Sequence, residues 1–166
     1  LAMNPLMVDI ACRVAPDQVT LVPENREEVT TEGGLDVVRH KKELTAAVSK
    51  LHDAGITVSL FIDPEPAQIE TAASLLVPAV ELHTGAYANA KKDSQHELQI
   101  LAEAATFVHQ AGLILNAGHG LTYRNVTPIA EIQGMEELNI GHSIVARAVF
   151  VGMAEAVREM RDLIPH

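Results

Sequence analysis

The feature that most narrows what this chain can fold into is the regular alternation of two hydrophobic periods. Short apolar runs stand at "DQVTLV" (17–22), "ITVSLFI" (56–62), "AVELHTG" (79–85), "LILNAG" (113–118) and "ELNIG" (137–141). Between them lie longer stretches whose apolar residues recur every three to four positions. The first pattern fits strands and the second fits helices. Strands that alternate with helices pair in parallel, because each return to the same edge needs a crossover long enough to hold a helix.

Local signals mark where the helices start and stop. Asn4 before Pro5 is an N-cap followed by the residue best suited to the first helical position. A helix is expected over 38–54, with Leu44, Val48 and Leu51 on one face and Gly55 ending it. "PEPAQIETAASLL" is the next helix, and Ser94 to Glu97 reads as a capping box opening a long helix that ends at Gly112. A helix near 123–132 and a final one over 142–163 bring the expectation to five strands and six helices.

Two parallel architectures accommodate this pattern. One is an open, doubly wound sheet of the flavodoxin type. The other is the later part of an eight-stranded β/α barrel, which allots about 30 residues to each unit. The pattern opens on a helix, so on the barrel reading the chain covers roughly the last five units. At 166 residues and 48% hydrophobic, it is long enough for one domain with a real core.

The formal net charge of −10, with Lys and Arg scattered, leaves no basic stripe to neutralise phosphates, which argues against a nucleic-acid partner. A small anion could still bind at backbone amides and helix N-termini. No apolar run reaches the roughly 20 residues of a membrane span and no signal-peptide pattern occurs, so a soluble cytoplasmic protein is expected. Cys12 is the only cysteine, which excludes an intrachain disulfide; it is expected to be a small buried hydrophobe.

In a parallel α/β fold, chemistry gathers where strands end and helices begin. Those points here are "LVPENREEVTTEGG", "FIDPEP", "ELHTGAYA", "NAGHGLTY" and "NIGHSI", and three of the five hold a histidine. "GHG" at 118–120 and "GH" at 141–142 set glycine against a helix start, where an anion can reach the amides. In barrels the loops after the last two strands often build one shared phosphate cup.

Glu81 and His83, two apart on a strand, face the same way. They suit proton transfer, a structural pair, or half of a metal site completed by His119 and His142. The long polar loop before Gly33-Gly34 offers the hydroxyls of Thr30 and Thr31, and Arg26, which could hold an anion or pair with Glu24 or Glu28.

Taken in series, "LVPENREEVTTEGGLDV", "VSLFIDP", "ELHTGAYA", "LNAGHGLTY" and "ELNIGHSIVARAV" closely resemble the pyridoxine 5'-phosphate synthases, end to end and in order. The resemblance implies a (β/α)8 TIM barrel and places the open sheet well behind. It implies condensation of 1-deoxy-D-xylulose 5-phosphate with 3-amino-2-oxopropyl phosphate to pyridoxine 5'-phosphate, phosphate and water, without metal or organic cofactor, in a homo-octamer. By matching position, His119 resembles the family's proton donor and Glu81 its transition-state stabiliser. Gly120, Gly141 and His142 resemble its ligands of the aminoketone phosphate, and Thr30 a contact to the deoxyxylulose phosphate.

His83 has no family role carried over and is expected to orient a neighbour. Two further proton acceptors of the family, a His and a Glu, and a substrate-binding Arg and Asn have no counterpart in these residues. The 166 residues alone are therefore expected to be inactive. Two other readings remain: a metal-dependent barrel hydrolase using Glu81, His83, His119 and His142, and a non-catalytic phosphate-ligand module.

Overall fold

The computed structural model describes residues 1–23, 33–90 and 93–165. Its first helix, α1 (Pro5–Val14), starts as expected: the Asn4 side chain accepts a hydrogen bond from the Met7 amide at 3.0 Å, and Pro5 opens the first turn. Strand β1 (Gln18–Leu21) follows, then α2 (Lys41–Asp53), β2 (Thr57–Ile62), α3 (Pro66–Ser74) and β3 (Ala79–His83). The remainder is α4 (Gly85–Asn89), α5 (Ser94–Gln110), β4 (Ile114–Gly118), α6 (Val126–Ala130), β5 (Met135–Asn139), α7 (His142–Val151) and α8 (Met153–Arg161).

All five expected strands are present, each within a few residues of its expected bounds. The helices depart in three places. α5 begins one residue before the expected box: Asp93 occupies the cap, the Glu97 amide bonds to the Asp93 carbonyl, and no side chain caps the end. Ser94 is thus already helical and cannot cap. A short helix, α4, forms directly after β3, where only strand and loop were expected. The final helix is two, split at Gly152, whose φ of 84° and ψ of 157° lie in a region that essentially only glycine adopts.

The sheet decides between the two architectures. Its order is β1-β2-β3-β4-β5 and every neighbouring pair is parallel. A doubly wound sheet must reverse direction at some strand, and none does so here. Steps in one direction with right-handed crossovers put the helices on one face, as in a β/α barrel. This is a partial TIM-barrel-like α/β fold.

The two faces of the sheet have opposite chemistry. Val19, Leu21, Val58, Leu60, Ile62, Val80, Leu82, Leu115 and Ala117 are buried in one core with Leu44, Val48 and Leu51 of α2, Ile69 of α3 and Leu101 and Val108 of α5. The alternate positions face the other way and are mostly polar. Register aligns Phe61, Glu81, Asn116 and Glu137 in one row, and His83, Gly118 and Asn139 in a row closer to the strand ends.

A register irregularity between Leu115 and Asn116 gives β5 one extra residue against β4. Leu115 pairs with Met135 and Asn116 with Glu137, so Glu136 is skipped. Such a bulge shifts every later side chain to the opposite face. It thereby places Glu137 and Asn139 on the polar face and leaves Leu138 packed on the core.

Candidate active site

Glu81 sits at the centre of β3 on the polar face and is buried. Burial away from water, with the Glu137 carboxylate nearby, raises its carboxyl from 4.5 to about 7. The Asn139 side-chain amide opposes that shift, donating to Glu81 Oε2 at 3.1 Å and to Glu137 Oε1 at 3.2 Å. A group balanced near neutrality can both take and return a proton.

Gly118, on the neighbouring strand, makes room for it. A Cβ at that position would collide with Glu81 Oε1 and crowd the Asn139 backbone. The first glycine of "GHG" is therefore a steric requirement of the carboxylate.

His119 follows at the end of β4 with φ 83°, an unusual value for a residue with a side chain. The Thr84 hydroxyl lies 2.8 Å from the Gly118 carbonyl and 2.6 Å from that of His119, a shared donor that secures the turn. Gly120 also has positive φ, 77°, and a Cβ there would stand 2.6 Å from the Ala88 Cβ of α4. The unexpected helix α4 thus closes the far side of the His119 turn.

Gly141 caps α7 and His142 is the first residue of that helix. Ser143 Oγ donates to the Leu121 carbonyl at 2.9 Å, tying the "GHG" and "GH" loops together. Glu81, His119, Gly120, Asn139, Gly141 and His142 all line one cavity of about 1110 Å³. The cavity joins the two glycine-histidine loops, as their places at neighbouring strand ends lead one to expect. Thr30, Thr31 and Arg26 lie outside the described residues; Gly33 and Gly34, at the end of their loop, line the same cavity.

Asp63, Glu137 and Asn139 were not singled out in the sequence. Asp63, just past β2, bonds to His83 Nδ1 at 3.0 Å through Oδ1, which also accepts the Gly34 amide at 2.8 Å. These hydrogen bonds hold the Asp63 carboxyl below its ordinary value despite partial burial. His83 therefore pairs with Asp63, and no hydrogen bond links it to Glu81. Among the described residues, no three His, Cys, Asp or Glu side chains are grouped to hold a metal ion, so Glu81, His83, His119 and His142 do not form a ligand set. Cys12 is only partly buried, short of the full burial expected, and packs at the border of the core.

Comparison with known proteins settles the family. The model of the pyridoxal phosphate biosynthesis protein PdxJ matches residues 1–166. The chain belongs to the PdxJ family.

Among curated relatives, the pyridoxine 5'-phosphate synthase of Synechococcus sp. (strain WH7803) is 61% identical over 159 residues, 95% of this chain and 64% of that protein. That of Rhodopirellula baltica is 61% identical over 156 residues, 93% of this chain and 63% of the relative. The chain thus spans a little under two thirds of the length of these two PdxJ relatives. Solved structures bear on the fold. One described as native KDPGal aligns with a TM-score of 0.57 at 15% identity, over 97% of this chain and 68% of that one. A xylose isomerase domain protein from Planctomyces limnophilus aligns at 0.55 and 13% identity, over 95% of this chain and 66% of that one. Both support a TIM-barrel-type fold. No helix among the described residues is long and apolar enough to cross a membrane.

Proposed function

We propose that this chain carries the phosphate-binding and proton-transfer half of a pyridoxine 5'-phosphate synthase. In the full-length protein it condenses 1-deoxy-D-xylulose 5-phosphate with 3-amino-2-oxopropyl phosphate in vitamin B6 biosynthesis. The relatives that carry this name support the reading. The observation that carries it is the placement of buried Glu81, with its proton affinity near neutrality, in one cavity with two glycine-histidine loops.

The reaction joins two phosphorylated substrates through imine formation, dehydration, phosphate loss and ring closure. Each step moves protons between groups that must be held in place. In this reading Glu81 exchanges protons at the ring-forming centre and stabilises charge there, while His119, at the cavity wall, donates a proton to a leaving group. The amides at Gly120 and Gly141 and the His142 side chain hold the aminoketone phosphate. The N-terminus of α7 adds a favourable field there, and the open space around Gly141 lets phosphate approach. Thr30 contacts the other substrate.

The chemistry needs no metal or organic cofactor, a single-domain chain in the cytoplasm suffices to present this half of the site, and the assembly is a homo-octamer. Substituting His119→Ala in the full-length enzyme is expected to lower kcat on the order of a hundredfold or more while the fold is retained. Steady-state assay of product formation checks it; undiminished turnover removes His119 from the reaction.

A further inference from the structure

We propose that Asp63 and His83 form a positioning pair that fixes the imidazole of His119. The effect on turnover rests on the reading of His119 as proton donor; the pair itself rests on geometry. Its origin is the register of the sheet. Ile62 of β2 pairs with Leu82 of β3, so one step further along these parallel strands Asp63 arrives beside His83. Their side chains meet at 3.0 Å, Asp63 Oδ1 to His83 Nδ1.

Asp63 is ionised: its carboxyl lies below its ordinary value, and the Gly34 amide donates to Oδ1, which favours the charged form whichever ring nitrogen of His83 carries a hydrogen. An ionised carboxylate only accepts. The hydrogen between the two groups therefore sits on Nδ1 of His83, which sets the tautomer and the ring plane. The other ring nitrogen, Nε2, is buried without a hydrogen-bond partner among the described residues, pressed against Gly85. A ring that served only as filler would do so better without a buried, unpaired nitrogen. An aliphatic side chain would fill the same space with no such cost.

His83 bears directly on His119. The two ring centroids are 4.9 Å apart, at an interplanar angle of 58°. Phe61 braces both, edge-on to His83 at 5.1 Å and tilted toward His119 at 6.3 Å. The backbone of His119 is referenced to the same place, because Thr84, the next residue after His83, holds the carbonyls of Gly118 and His119. The end of β3 thus fixes His119 twice, by backbone through Thr84 and by ring through His83. Asp63 in turn fixes His83.

The test uses the full-length enzyme with Asp63→Asn and His83→Gln, read by kinetics and by ¹⁵N-resolved NMR of the histidine side chains. Wild-type His83 is expected to show a protonated Nδ1. Asp63→Asn is expected to lower kcat on the order of tenfold to a hundredfold while each KM changes by less than about threefold. Both variants are expected to move the ring resonances of His119, and Asp63→Glu, which keeps the carboxylate, is expected to recover part of the loss.

An unchanged kcat in Asp63→Asn, or His119 resonances unmoved in both variants, overturns the proposal. Should Asp63→Asn fail to fold, His83→Phe, which preserves the ring volume, carries the same two readouts. Failure of the donor reading is seen separately, as full activity in His119→Ala, whereas the resonance shifts test the pair itself.

Discussion

Glu81 owes its raised proton affinity first to burial and then to the Glu137 carboxylate, while Asn139 opposes the shift and Gly118 leaves the side chain room. Glu137 and Asn139 come from β5 and Gly118 from β4, and all reach it only through sheet register. The sign of the pH effect follows from the direction of the shift. A carboxyl raised from 4.5 to about 7 binds its proton more tightly in the folded protein than in the unfolded one. Its stabilisation is complete below pH 4.5 and is lost as pH rises through about 7. Glu81→Gln, neutral at every pH, should therefore match wild type near pH 4.5 and exceed its stability at pH 8, by at most about 3 kcal/mol. Denaturant unfolding of both proteins at the two pH values checks this; equal stability at pH 8 contradicts it.

At this scale the sequence pointed to Glu81, His119, Gly120, Gly141 and His142, because each stands at a strand end or on the strand face opposite the core, and the family resemblance singled them out there. It did not show Asp63 as the partner of His83. "FIDPEP" reads as a strand-end loop, but which residue it presents to β3 depends on a register twenty residues away in the chain.

Among the elements, strands were legible and their exact facing was not. Apolar runs bounded by glycine locate β1 to β5 within a few residues. The bulge that turns Glu137 and Asn139 toward the site has no local sign in "MEELN", where two adjacent glutamates leave the facing of the strand undecided. Helix α4 escaped because five residues are too few to display a helical period.

The division of the last helix at Gly152 also escaped, although the apolar pattern continues across it. There the backbone conformation carries the cost. Gly152→Ala in the full-length protein is expected to lose about 1–3 kcal/mol, since an L side chain is strained at φ 84° and ψ 157°. A shift of the urea midpoint measures it, and a stabilised variant would show that α7 and α8 prefer to run on as one helix.

Over the whole molecule, one-directional strand order separates an apolar, helix-covered face from a polar face that carries the site. The barrel was legible from the strand-end loops and above all from the family resemblance, since strict alternation alone fits both parallel architectures. Coverage of α7 was not. None of its residues is buried, and Val149 and Phe150 are about four-fifths exposed at 79% and 83%. No described residue packs over them, and the curated relatives are about half as long again as this chain.

The proposed function places the condensation of two phosphorylated substrates at this polar face in the full-length protein. It is tested most directly by supplying 1-deoxy-D-xylulose 5-phosphate and 3-amino-2-oxopropyl phosphate and measuring pyridoxine 5'-phosphate and inorganic phosphate together. The expected result is equimolar formation of the two products, abolished when either substrate is omitted. Phosphate release without pyridoxine 5'-phosphate, or no turnover of either substrate, would contradict it.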